Sequence, residues 1–169
     1  MGHWITRLLK HRRFDERDAQ RLLGAGALQR IEARVASSEL RHSGEIRVCV
    51  EAGLPWTYLR RGAMPRERAV AMFGKLRVWD TEHNNGVLIY LLVAEHAIEI
   101  VADRGLARHV DDAAWQRITA AMKAAFQRGD FEAGLNQAVD AVDALLREHF
   151  ALAPGEANPN ELPDTPDLR

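Results

Sequence analysis

From Val87 to Ala94 the chain reads VLIYLLVA, an unbroken apolar run between polar flanks. Such a run suits a strand covered on both faces, and it is far shorter than the ~20 residues a helix needs to cross a bilayer. Ala97 to Ala102 (AIEIVA) is a second short run, with Glu99 as its polar exception. Glu95-His96 separates the two, which predicts an antiparallel hairpin. Upstream, Glu45 to Glu51 alternates, with Ile46, Val48 and Val50 on one face, and reads as the first strand. Helical spacing governs the rest. Leu28, Ile31 and Val35 mark a helical region from Asp15 to Leu40, and Ala69, Val70, Phe73 and Leu76 follow Pro65, a residue suited to a first helical turn. Trp115, Ile118, Met122 and Phe126 stripe a helix from about Ala113 to Arg128, started by Asp111 or Asp112 and stopped by Gly129. A last helix runs from Phe131 to Phe150. Gly53 to Gly62 reads as a loop carrying Trp56 and Tyr58.

Strand, helix, strand in that order is a right-handed crossover, so the first two strands run parallel and the third antiparallel to the second. The predicted fold is α/β: a small mixed sheet in a three-layer α/β/α sandwich. The chain divides into a basic amphipathic helix over residues 1–13, a folded domain over 14–150 and a tail over 151–169, which holds four of the six prolines and is expected to be disordered. The hairpin has a geometric consequence. Asn84 and Asn85, before one strand, come to lie beside Asp103 and Arg104, after the next.

A net charge of −1 supplies no field to attract nucleic acid. The single cysteine, Cys49, has no partner for an internal disulfide and reads as a small sheet residue. The first residues lack the apolar stretch of a secretory signal, which predicts a cytoplasmic protein. Trp4, Ile5, Leu8 and Leu9 repeat at helical spacing among Arg7, Lys10, Arg12 and Arg13. Such a helix either packs on its own domain or contacts an anionic membrane surface or a partner through Trp4, Arg7, Leu8, Lys10, Arg12 and Arg13, giving a location peripheral to the membrane.

One end of the sheet gathers Asp80, Glu82, Asn84, Asn85, Asp103, Asp111 and Asp112. Carboxylates and amide oxygens are the ligands that Ca²⁺ and Mg²⁺ take, and Arg104 could steady a phosphate there. Each residue also has a plainer reading. Asp80 starts a turn, Asn84-Asn85-Gly86 is a left-handed turn, Asp112 caps a helix and Asp103 pairs with Arg104. The opposite edge, where open parallel sheets favour ligands, offers only Glu51, Glu95 and His96. No nucleophile elbow and no phosphate-binding glycine loop occurs, so no catalytic residue is assigned.

The segments SGEIRVCVE, NNGVLIYLLVAEHAIEIVADRGL, DDAAWQRI and FQRGDFEAGLNQAVDAV resemble the TPM domain family, also called TPM phosphatase, over roughly Ala33 to Phe150. The resemblance implies a Rossmann-like α/β/α sandwich and associates a divalent cation, calcium rather than magnesium, with the acidic edge. By position the resemblance bears on Asn84 and Asp112; taken with the oxygen donors gathered at this end, Asp80, Glu82, Asn84, Asp103 and Asp112 are expected to hold the cation and Arg104 the phosphate. The family also implies a weak phosphatase activity or, alternatively, a non-catalytic module that helps assemble or maintain a membrane protein complex. By position, the family's Asp-Asn-Gly corresponds to Asn84-Asn85-Gly86, which removes one negative charge from the expected site. Many relatives carry a signal peptide and a membrane helix, and neither is read here.

Overall fold

The computed structural model describes residues 2–169, with side chains from Ile5 onward, so the expected contact through Trp4 lies outside the described side chains. The chain order is α1 (Gly2–Arg12), α2 (Glu16–Leu23), α3 (Ala27–Glu39), β1 (Ile46–Glu51), α4 (Trp56–Arg60), α5 (Pro65–Lys75), β2 (Val87–Leu92), β3 (Ala97–Ala102), α6 (Arg104–Ala107), α7 (Asp112–Gln127), α8 (Phe131–Phe150) and β4 (Asp167–Leu168). The sheet order is β3-β2-β1-β4. β1 is parallel to β2 with Ile46 opposite Val87, and β2 is antiparallel to β3 with Val87 opposite Ala102. This is the expected α/β sandwich with one further strand.

Every residue of β1 and β2 is buried, because helices cover both faces of the sheet. Alternate residues serve different cores. Val87, Ile89 and Leu91 join Ile46, Val48 and Val50 beneath α2, α3 and α8, with Ile31, Leu135 and Val142 among the partners. Leu88, Tyr90 and Leu92 join Cys49, Met72 and Leu59 on the side of α4 and α5. Polar-out alternation is therefore absent, as a doubly covered sheet requires. No helix among the described residues is long and apolar enough to cross a membrane.

Three local expectations change. The region from Asp15 to Leu40 is two helices, since Gly24 and Gly26 take φ of 95° and 71° and break the first. Asp15 and Asp18 close a reciprocal capping box at the start of α2, at 2.9 and 3.0 Å, an arrangement worth about 1 kcal/mol. The loop from Gly53 to Gly62 contains α4. The run VLIYLLVA stops as a strand at Leu92, and Val93–Glu95 form a single 3₁₀ turn before His96 in the left-handed region.

The largest correction concerns the tail. Residues 151–169 were expected to be disordered, yet β4 pairs in parallel with β1, Cys49 opposite Asp167 and Val50 opposite Leu168. Leu162 is buried in the second core, and Arg47 donates to the carbonyls of Pro163 and Thr165. A polar, proline-bearing segment can dock this way because the β1 edge offers unpaired main-chain groups and the tail carries a few apolar anchors.

Candidate functional site

The loop before β2 and the corner after β3 meet at one rim. Arg104 Nη2 donates to Asn84 Oδ1 at 2.7 Å, Gly105 N to Asn84 O at 2.7 Å, and Asp103 N to Gly86 O at 2.9 Å. Asn84 adopts φ 52°, a left-handed conformation that asparagine tolerates better than most residues. Asn85 points inward, fully buried. Its N–H donates to Thr81 Oγ1 at 3.1 Å and its side-chain amide to Ser43 Oγ at 3.2 Å, which ties the start of β1 to the same end of the sheet.

Trp79, Asp80, Thr81, Asn84, Asp103 and Arg104 line a pocket of about 290 Å³ at this rim. Asp103 Oδ1 accepts from Arg104 N at 2.7 Å and caps α6, while Oδ2 is buried without a hydrogen-bond partner. Asp80 pairs with Arg77. Three of the five expected ligands, Asp80, Asn84 and Asp103, therefore share one pocket.

The other two do not. Glu82 is exposed, and its main-chain N–H donates to the Glu161 carboxylate at 3.0 and 3.2 Å. Asp112 begins α7 and lines a separate pocket of about 370 Å³ with Arg66, Glu99 and Trp115. Asp111, rather than Asp112, caps that helix, accepting from Ala114 N at 2.7 Å. α6 lies between Asp103 and α7, so Asp112 is separated from Asp103 by a helical turn that the sequence pattern did not disclose. Among the described residues no three His, Cys, Asp or Glu side chains are grouped to hold a metal ion. A cation at this rim would depend on two carboxylates and one amide, with Arg77 and Arg104 as competing cations.

The same end of the sheet holds two buried acids that sequence reasoning passed over. Glu39 is 4% exposed and Glu45 0%. Glu39 Oε1 accepts from Ile46 N at 2.8 Å and Glu45 Oε2 from Leu162 N at 3.1 Å, and the other oxygen of each has no partner. Burial, reinforced by the negative charge of Glu45, pushes the Glu39 carboxyl up to about 9. Burial also raises the Glu45 carboxyl. The available signal was the acid in SGEI, directly before a fully apolar strand.

At the opposite rim Glu51 is enclosed. Arg68 Nε and Nη2 donate to its carboxylate at 2.9 and 2.6 Å, and Tyr90 Oη donates at 2.5 Å. Burial and the Glu51 charge raise the Tyr90 hydroxyl. These groups satisfy one another, so the network fastens α5 to the sheet. Burial likewise raises the Cys49 thiol, against a role as a thiolate nucleophile. His42 is fully buried, with Nδ1 3.0 Å from Gly44 O, and burial lowers its pKa.

α1 is docked on its own domain. Arg7 donates to Glu95 Oε1 at 2.6 Å and to Ala63 O at 2.7 Å. His11 Nε2 lies 2.8 Å from Glu95 Oε1, and its Nδ1 accepts from Leu54 N at 2.9 Å. Leu8 packs against the second core. Lys10, Arg12 and Arg13 remain exposed, and so do Ile5 at 45% and Leu9 at 58%.

Comparison with known proteins agrees with this architecture. No curated protein matches the chain. Among solved structures, the NMR structure of BA42 from the psychrophilic bacterium Bizionia argentinensis is similar, with a TM-score of 0.73 and 28% identity, over 85% of this chain and 92% of that one. The model of the TPM domain matches residues 17–145, more than half of the chain and all of the sheet except β4. The chain therefore belongs to the TPM domain family.

Proposed function

We propose that this TPM domain binds a divalent cation weakly at the rim pocket, through Asp80, Asn84 and Asp103, and that Arg104 is placed to hold an oxygen of a phosphate group beside it. The observation that carries this reading is the buried, partnerless Asp103 Oδ2 in a pocket whose other oxygens, on Asp80 and Asn84, are each held by an arginine. An unpartnered buried carboxylate oxygen is costly, and guanidinium groups on the neighbouring oxygens mark a place where positive charge is favoured.

A bound cation would supply positive charge to a phosphoryl oxygen. Asp80 and Asp103 would provide negative charge, Asn84 an amide oxygen, and waters the remaining positions, since Ca²⁺ takes six to eight oxygens. Arg104 would turn from Asn84 to the phosphate. No side chain lining the pocket is a histidine, cysteine or lysine, so for phosphomonoester hydrolysis the nucleophile or base would be Asp80, Asp103 or a cation-bound water. Calorimetric titration with Ca²⁺ tests the reading. Weak binding that disappears in Asp103→Asn supports it, and an unchanged isotherm in that variant removes it. A phosphomonoesterase assay with and without chelator then decides whether binding is coupled to turnover.

A second reading rests on a different observation, the exposed Ile5 and Leu9 on a basic helix with Lys10, Arg12 and Arg13 free at the surface. This face would lie on an anionic membrane and hold the domain near a membrane protein complex. Arg7 and Leu8, spent on intramolecular contacts, would take no part. Ile5→Asp with Leu9→Asp should abolish sedimentation with phosphatidylserine vesicles while the fold is kept. Equal sedimentation of the two proteins rules the reading out.

A further inference from the structure

The strap formed by residues 161–169 lies beyond the TPM-matched region and docks on the β1 edge of the three strands that this region supplies, the β3 edge being the other. Its attachment is built from main-chain reading. Arg169 N donates to Val50 O at 2.9 Å, Ala52 N donates to Arg169 O at 2.7 Å, and Arg47 Nη1 donates to the Pro163 carbonyl at 2.5 Å and also to that of Thr165. Side chains fix the register. Leu162 is 7% exposed, Thr165 Oγ1 donates to Glu32 Oε1 at 2.7 Å, and Leu168 packs on the first core. Between the body and the strap, residues 153–157 are exposed and contain Pro154-Gly155.

We infer that the β1 edge is a strand-addition site and that the strap of a second copy of this chain occupies it in trans, giving a reciprocally exchanged dimer. Every contact named above is between the strap and the body of the domain, so a strap from another copy makes the same set without any new surface. The two states differ in the linker alone. In cis, a short tether sets an effective concentration in the millimolar range, so exchange takes over as the protein concentration approaches about 1 mM. Shortening the tether strains closure within one chain and favours exchange. In both states a Glu161 carboxylate meets the Glu82 N–H on the loop of the rim pocket, from the chain's own strap in the monomer and from the second copy's in the dimer. The inference does not depend on a cation binding there.

Cys49 is the only cysteine and is paired with Asp167 across the edge, its Sγ 3.5 Å from Asp167 Oδ2. Neighbouring parallel strands lie about 4.8 Å apart, within the Cα range of a disulfide. Asp167→Cys, oxidised with copper phenanthroline, therefore records where each strap sits. A covalent monomer in dilute protein and a covalent dimer fraction that rises with concentration, with a midpoint near 1 mM, is the expected result. Light scattering on the unsubstituted chain should show the same rise without any cross-link. Deleting residues 154–157 should bring the midpoint down at least tenfold. Covalent monomer alone at every concentration, or a shortened chain that stays monomeric by light scattering at 1 mM, overturns the inference.

Discussion

Arg104 Nη2 sits 2.7 Å from Asn84 Oδ1, although 20 residues separate them in sequence. A hairpin that returns the chain to its starting edge makes this contact, and the corner beside it leaves little room. A Cβ on Gly105 would lie 2.5 Å from His83 O and also collide with Asn84 O, both main-chain atoms that cannot turn aside. Gly105→Ala should therefore cost about 1–3 kcal/mol in urea denaturation and weaken cation binding at the rim. A variant of unaltered stability would mean that the two loops part more easily than this packing implies.

Asn84→Asp returns a carboxylate to the pocket in a residue type that also accepts a left-handed backbone. A unit charge about 4 Å from a divalent ion is worth roughly 2 kcal/mol in a watery site, so Ca²⁺ affinity should rise on the order of ten- to thirtyfold. Titration calorimetry reads this directly, and an unchanged or weaker affinity argues against the ion sitting beside Asn84.

Glu39 is a buried acid whose carboxyl is raised from 4.5 to about 9 by burial and by the charge of Glu45. A raised folded-state pKa gives stability that is complete below the unfolded value and declines as pH climbs to the folded one. Stability should thus fall between about pH 4.5 and pH 9. Glu39→Gln keeps an oxygen for the Ile46 N–H, and should melt at a higher temperature than the unsubstituted chain at pH 8 while losing much of that slope. Parallel pH profiles for the two proteins would contradict the assignment.

Glu95 is shifted the other way. The hydrogen bond from His11, and then that from Arg7, hold its carboxyl down at about 2. A depressed folded-state pKa gives stability that is present above the unfolded value of 4.5 and is lost as pH drops toward 2. The attachment of α1 should loosen over that acid window, and Glu95→Gln should loosen it already at neutral pH. Trypsin cleavage at Arg12 and Arg13, which are exposed, is the readout. Cleavage of the variant at the unsubstituted rate would show that the helix is held without Glu95, by Leu8 and by the bonds to Ala63 and Leu54.

Much of this fold could be read from local pattern. The apolar run at Val87, the alternation from Ile46 and the long stripe from Phe131 to Phe150 each report how one segment meets a core. The hairpin turned one such reading into a spatial statement, that Asn84 meets Arg104, and the contact is present. The misreadings arose where an element is set by what lies across from it. A four-residue helix at Arg104–Ala107 moves Asp112 into another pocket, a displacement invisible to periodicity because the segment is too short to show any.

The amino-acid order by itself determined the sandwich, because burial on both faces of β2 is written in its side chains and the order strand, helix, strand sets β1 beside it. Only the tertiary structure decided that Leu162 and β4 close the open edge, that α1 is bound to Glu95, and that Glu39 and Glu45 are shut away from water. Those outcomes depend on whether a distant partner completes a hydrogen bond or covers a face, and that information resides in no single stretch of chain.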